Sequence, residues 1–129
     1  MECLLEVVLS AQAPQPIGPY SQAIRTRGLL FCSGQIALDP KTGEMTNATI
    51  EEETKQVLKN MHAVLSTAGG TFANIAKTTI FLTSMGDFAA VNKVYEEMLG
   101  TARPARSTVE VSALPKGARV EIECVACLP

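Results

Sequence analysis

Tryptophan is absent, histidine occurs once, and aromatic residues make up only 5% of the 129-residue chain. With His62 as the only imidazole, no serine–histidine–aspartate set assembles. Its plain reading is a partly buried side chain at the margin of a helix stripe. Lysine and arginine are scattered and form no run, and the formal net charge is -2, which disfavours nucleic acid as the main partner. No glycine-rich nucleotide motif of the GxGxxG or P-loop kind occurs. No stretch approaches the roughly 18 apolar residues of a membrane span. The apolar N-terminal run is broken by Glu2 and Glu6 and lacks a basic leader, which argues against a secretory signal. Arginine and serine are too sparse there for a transit peptide. The default compartment is the cytoplasm, with a mitochondrial one left open.

Cysteine is also scarce. Cys3, Cys32, Cys124 and Cys127 each lie in an apolar run, which suits small buried thiols better than disulfides. Cys124 and Cys127 spell CxxC, but on a strand residues three apart point to opposite faces. They form neither a metal chelate nor a redox pair, and no second CxxC exists.

What remains is ordinary core material. Hydrophobic residues make up 47% and charged residues 19%, which fits one domain over residues 1–129. Strands are expected over Glu2–Leu9, Tyr20–Ile24, Leu29–Ile36, Ile75–Thr83, Ser107–Ala113 and Arg119–Leu128. Gln12–Pro19, with three prolines and a glycine, is a stiff loop. Arg25–Gly28 reads as a hairpin turn, and Asp39–Gly43 and Leu114–Gly117 as further turns. Thr49–Ala68 is the clearest helix. Thr49 and Glu52 suggest a capping box, Glu51 to Glu53 suit the N-terminus, and Gly69-Gly70 stops it. Its stripe is Val57, Leu58, Met61, Val64, Leu65 and Ala68. A second helix, Phe88–Leu99, is capped by Asp87 or Ser84 and carries Phe88, Val91, Tyr95, Met98 and Leu99. The order β, β, β, α, β, α, β, β gives an α+β sheet with both helices on one face.

The other face needs an occupant. In the last strand Val120, Ile122, Cys124 and Ala126 form one apolar row. Opposite them lie Arg119, Glu121, Glu123, Val125 and Cys127, a mixed row. Arg106, Thr108 and Glu110 of the preceding strand look similarly mixed. Such a face suits a subunit contact or a polar site, so an oligomer with its site near the interface is expected.

Candidate chemistry centres on Arg103–Val111. Pro104 keeps helix out of this stretch, and from Arg106 the pattern alternates. A strand-borne guanidinium offers a rigid planar fork that matches a carboxylate. Two readings stand for it, an anchor for a small acid or an ion pair with Glu110 or another acid. Glu121 is either a functional acid or a partner of Arg106 or Arg119. Ser33 beside Gly34 could present a hydroxyl and open backbone groups, since glycine within a strand suggests close approach by another group. Tyr20 sits on a rigid loop, where rim packing is the plain reading. Asn92 lies on the polar side of the second helix. Without a metal set or an obvious nucleophile, any chemistry rests on positioning and electrostatics.

Several blocks of residues carry a resemblance. Pro104-Ala105-Arg106-Ser107-x-Val109-x-x-Ser112-x-Leu114, followed by Val120-Glu121-Ile122, resembles the C-terminal signature of the RidA/YjgF family. Ala13-Pro14 through Ile17-Gly18-Pro19-Tyr20-Ser21-Gln22-Ala23 is similar to its N-terminal motif. Phe31–Ile36, Asp39–Gly43 and Asp87-Phe88-Ala89-x-Val91-Asn92-x-x-Tyr95 match as well. The resemblance covers nearly the whole chain past about residue 12.

It implies a chorismate-mutase-like α+β fold of about six strands. It also implies a homotrimer with sheets packed into a central barrel and sites in clefts between subunits. The implied activity is that of a 2-iminobutanoate/2-iminopropanoate deaminase, hydrolysing reactive enamines and imines to 2-oxo acids and ammonia without a cofactor. Arg106 matches the carboxylate anchor and, with Glu121, is taken as catalytic. The implied substrate-binding positions are Tyr20, Ser33, Gly34, Phe88, Asn92, Ala105, Ser107 and Thr108. Thr108 stands where many bacterial members carry cysteine, so no thiol mechanism is expected. The partners implied are a small imine, enamine or 2-oxo acid and further copies of the chain. Two rivals are an endoribonuclease or translation inhibitor, and a non-catalytic 2-oxo acid binder or chaperone-like protein.

Overall fold

The computed structural model describes residues 3–129. Its elements are β1 (Glu6–Val8), β2 (Ala23–Thr26), β3 (Leu29–Gln35), α1 (Ile50–Thr67), β4 (Ile75–Leu82), α2 (Phe88–Leu99), β5 (Ala105–Glu110) and β6 (Val120–Cys127). The strands form one sheet in the order β1-β2-β3-β6-β4-β5. Every neighbouring pair is antiparallel except β4 and β5, which run parallel and are joined through α2.

The last strand in sequence is central in space, and its alternation explains why. Val120, Ile122 and Ala126 are fully buried and Cys124 nearly so, facing the helices, while Glu121 and Val125 are half-buried and Glu123 and Cys127 exposed. From the helix side, Val57, Leu58, Val64 and Leu65 are fully buried and Met61 nearly so. Each such side chain contributes roughly 1.5–3 kcal/mol by leaving water.

Helix α1 starts where Thr49 Oγ1 accepts the Glu52 N–H at 3.1 Å, though the reciprocal Glu52 contact of a capping box is not made. It ends at Ala68, followed by Gly69 at φ +88°. Arg25 on β2 donates from Nη2 to the Ala68 carbonyl, placing a cation at the helix C-terminus. The second helix has no side-chain cap: Asp87 stands at its N-cap without a capping bond, and Ser84 accepts from Gly86 N in the single 3-10 turn, Met85–Asp87, that precedes it.

Several expected boundaries move. β1 is confined to Glu6–Val8, and Glu2 lies outside the described residues. β2 begins at Ala23 instead of Tyr20, because the proline-rich loop is tied down up to Gln22. That buried side chain donates to the Ser10 and Pro14 carbonyls and accepts the Ser10 N–H. The turn after β2 shrinks to Arg27 and Gly28, both at positive φ (49° and 78°), as a two-residue hairpin turn requires. β5 covers Ala105–Glu110, starting two residues before and ending three before the expected Ser107–Ala113. Of the cysteines only Cys32 and Cys124 are buried. Cys3 and Cys127 are exposed, correcting the expectation of four buried thiols. Their apolar neighbours lie at a terminus and on the uncovered sheet face.

The topology also corrects the placement of Arg106. Thr78, Ile80 and Leu82 of β4 are buried under the helices, and their parallel partners are Arg106, Thr108 and Glu110. Those three residues therefore share the helix side of the sheet. The open side carries Ser107 and Val109, aligned through Thr79 and Phe81 with Glu123 and Glu121.

Candidate functional site

Arg106 sits on the edge strand with its guanidinium over α2. Its carbon lies 5.5 Å from the Phe88 ring centroid and 5.1 Å from that of Tyr95. Nη1 donates to Asn92 Oδ1 at 2.7 Å. Phe88, Asn92 and Tyr95 fall at positions i, i+4 and i+7 of one helix, so a single helix face holds the cation. The Tyr95 hydroxyl in turn hydrogen-bonds Thr78 Oγ1 at 2.7 Å. Burial raises the Tyr95 pKa, although the Thr78 bond and the Arg106 and Arg103 charges oppose the rise. The ring therefore stays a neutral platform. Two faces of cation–π contact and one amide fix the guanidinium without neutralising it.

Among the described residues no carboxylate takes the remaining donors of Arg106. Glu110, its expected ion-pair partner, accepts the Met85 N–H at 2.7 Å instead. Arg103 donates to the carbonyls of Gly100 and Ala102 and lies 3.9 Å from Glu96. Arg103, Glu96, Pro104, Arg106, Asn92 and Tyr95 surround a recess of about 450 Å³.

A second cluster lies on the open side of the sheet. Tyr20, Ser33, Gly34 and Glu121 line a cavity of about 490 Å³ together with Gln22, Lys116 and Glu123. The Glu121 carboxylate rests directly over Gly34. A Cβ built on that glycine would lie 2.2 Å from Glu121 Oε2 and 2.8 Å from Cδ. The group expected to approach the glycine is thus Glu121 itself. A register shift between Cys32 and Gln35 opens β3 at this point. Ser33 Oγ donates to the Ser21 carbonyl at 2.6 Å, and Ser33 N donates to Gln22 O. Tyr20 is half exposed at the rim. Burial, and secondarily the charge of Glu123, raise the Glu121 pKa above the ordinary 4.5.

Glu121 pairs with neither arginine weighed for it. Arg119 Nε is bound to Glu53 Oε1 at 2.8 Å, and Glu53 Oε2 accepts the backbone N–H of Arg119 at 2.7 Å. Arg106 is on the other face of the sheet. Of the remaining expected positions, Ala105 and Ser107 lie exposed on the open side of β5. Thr108 Oγ1 is buried toward the helices without a hydrogen-bond partner. His62 is exposed, its ring edge-on to Phe72 at 5.2 Å, because it falls just outside the buried stripe of α1.

One chain therefore holds two groups of candidate residues, one on each side of the sheet. Sequence reading missed Tyr95 as more than core, although its spacing from Phe88 and Asn92 carried the signal. It also missed Glu123 and Lys116 beside Glu121, and Gln22 as the tie of the proline-rich loop.

A mixed six-strand sheet with both helices on one side is also the architecture of the solved structures found on comparison. The chain belongs to the family whose model is described as Endoribonuclease L-PSP, which matches residues 10–128. Within that family it is similar to a RutC family protein of Pyrococcus horikoshii. The two are 50% identical over 121 residues, 94% of this chain and 96% of that protein. It is 46% identical over 120 residues to the human 2-iminobutanoate/2-iminopropanoate deaminase, covering 93% of this chain and 88% of that protein. The crystal structure of a Rid family protein from Yersinia pestis superposes with a TM-score of 0.94 at 52% identity, covering 97% of this chain and 100% of that one. No helix among the described residues is long and apolar enough to cross a membrane.

Proposed function

We propose that this chain hydrolyses reactive 2-imino acids and their enamine tautomers to 2-oxo acids and ammonia, at sites completed by a second copy. The observation that carries the reading is Arg106, a guanidinium fixed by Phe88, Tyr95 and Asn92 and, among the described residues, left without a carboxylate. Its open fork grips the substrate carboxylate. The names of the human and mouse relatives, 44–46% identical, support the same chemistry.

An imine carbon is already electrophilic, so no covalent nucleophile is needed. Backbone groups of Ser33-Gly34 and Ala105-Arg106-Ser107 orient the imine. Glu121 takes a proton from water as the water oxygen bonds to C2. The C=N π bond opens as Glu121 returns that proton to nitrogen. In the resulting carbinolamine the hydroxyl proton passes by way of Glu121 to nitrogen as the C–N bond breaks and the C=O bond forms, so ammonia leaves with the 2-oxo acid behind. The raised Glu121 pKa moves it toward the range where a general base works best.

Arg106 and Glu121 lie on opposite sides of one sheet, so one chain does not offer both to one ligand. The open side also carries an apolar row, Val7, Ile24, Phe31 and Val125, aligned across four strands. Val7 is 66% and Phe31 45% exposed, which supports a homotrimer packed through this side. Acidic balance argues for a small anion over a polyanion such as RNA, despite the description of the family model.

The test couples a dehydratase that releases 2-aminoacrylate to semicarbazide trapping, with and without this protein. Slower formation of the semicarbazone is expected, because the imine is hydrolysed before it is trapped; Arg106→Ala abolishes the difference, with sedimentation reporting a trimer for both. Turnover retained by Arg106→Ala would sink the assignment.

A further inference from the structure

We infer that Cys32 and Cys124 form a paired oxidation site: peroxide joins them in an intrachain disulfide that clamps β3 to β6 and slows the reaction. The loss of activity rests on the reading of Glu121 as the base, whereas the bridge itself does not. The two residues are direct partners across the β3–β6 ladder. Both are free thiols, buried on the helix side of the sheet and away from the face assigned to a second copy. In the same register Leu128 N donates to Gly28 O at 2.7 Å. Alternate rungs from there, Leu30 with Ala126 and Cys32 with Cys124, are therefore hydrogen-bonded pairs. Such a pair holds its Cα atoms about 5.5 Å apart. A disulfide spans roughly 4.4–6.8 Å between Cα atoms, so the backbone separation is already met. The exposed cysteines have no such partner. Cys127 stands opposite Leu29, and Cys3 Sγ lies 3.5 Å from Thr26 Oγ1.

The order of events follows from the two environments. Cys32 is the more open thiol, 8% exposed against 3% for Cys124. The Cys32 thiol beside it, and burial, raise the Cys124 pKa, so Cys124 enters second. The Cys32 thiolate attacks a peroxide oxygen and the O–O bond breaks. Hydroxide departs, taking up the proton that Cys32 gave, and a sulfenic acid remains. The Cys124 sulfur then bonds to that sulfur, its proton passing to the hydroxyl, which leaves as water. Two thiols are oxidised and one peroxide is reduced to two waters. Cys32 is the last regular rung before the register shift that seats Gly34 beneath Glu121. Bonding draws the Cβ atoms from about 4.5–5.5 Å to about 3.8 Å, pulling β3 toward β6 beside that contact.

The experiment treats the whole chain with hydrogen peroxide and maps its peptides, for the parent, Cys124→Ala, Cys32→Ala and the double variant Cys3→Ser/Cys127→Ser. A peptide joining Cys32 to Cys124 is expected in the parent and in the double variant, and dithiothreitol should release it. The linked chain should melt at higher temperature, because a long loop is closed. Its kcat on freshly generated 2-aminoacrylate should fall about tenfold and recover with dithiothreitol. Cys124→Ala and Cys32→Ala should keep their kcat through the same treatment. Both thiols intact after Cys3 and Cys127 have been oxidised, or sulfinic acid in place of the link, would overturn the site. A linked chain with undiminished kcat would overturn the control of activity. Full turnover by Glu121→Gln would overturn the reading of the base, and the linked peptide would still decide the site.

Discussion

Arg119 and Arg106 stand at opposite ends of what an arginine can do in one small sheet. Arg119, at the entrance to β6, is held by Glu53, whose side chain is fully buried and also accepts two backbone N–H groups. Every part of that arrangement closes on itself. Arg106, on the edge strand, has aromatic rings and a neutral amide where Arg119 has a carboxylate. It is rigid without being satisfied. Immobility alone therefore does not separate a structural arginine from a binding one. The charge on the group that immobilises it does.

Breaking each side of this contrast has its own signature. The largest effect is expected for Arg106→Ala, about a thousandfold loss in kcat/KM, equivalent to about 4 kcal/mol of transition-state stabilisation. Its thermal midpoint should hold, because no buried charge is uncovered. A midpoint that falls with activity would make Arg106 structural and erase the contrast. Arg119→Ala comes next and should do the reverse. It strands the buried Glu53 and costs about 3 kcal/mol of stability by urea unfolding, with turnover per folded chain unchanged.

Gly34→Ala sharpens the role of the second cluster. The new methyl would meet Glu121 Oε2 at 2.2 Å, so the carboxylate must swing away. About a tenfold to hundredfold loss in kcat is expected, with 2-oxobutanoate affinity, which the proposed function assigns to Arg106, little changed by calorimetry. Asn92→Ala removes one orienting hydrogen bond and should raise KM about fivefold, in line with about 1 kcal/mol.

The smallest effect is on stability. The folded-state pKa of Glu121 lies above its ordinary 4.5, so the native chain keeps this proton to higher pH than the unfolded chain does. Stability therefore falls as pH rises from near 4.5 through the raised value. Glu121→Gln should raise the thermal midpoint at neutral pH and leave it unchanged well below 4.5. A gain at both pH values would place the effect in packing instead of ionisation.

Much of this was legible from residues alone. The stripe of α1, the Thr49 cap and the alternation along β6 are local patterns that tertiary structure left intact. The side of the sheet on which Arg106 lies was not legible. Alternation divides Arg106 and Thr108 from Ser107 and Val109, but only the parallel pairing with Thr78 and Ile80 says which set meets the helices. The pairing of Arg119 with Glu53 was hidden for a similar reason. Glu53 reads as one of three acids suited to a helix N-terminus, and its inward direction depends on where β6 begins, 66 residues away in sequence. The family resemblance named Arg106 and Glu121 together, and the strand order explains why one chain keeps them apart.

The fit of Glu121 over Gly34 also constrains how such a sequence can change over generations. A side chain at position 34 and the carboxylate of residue 121 compete for one space, so a chain that carries both must hold the acid off the strand. What is tolerated at one position therefore depends on what stands at the other, and the two are expected to vary together.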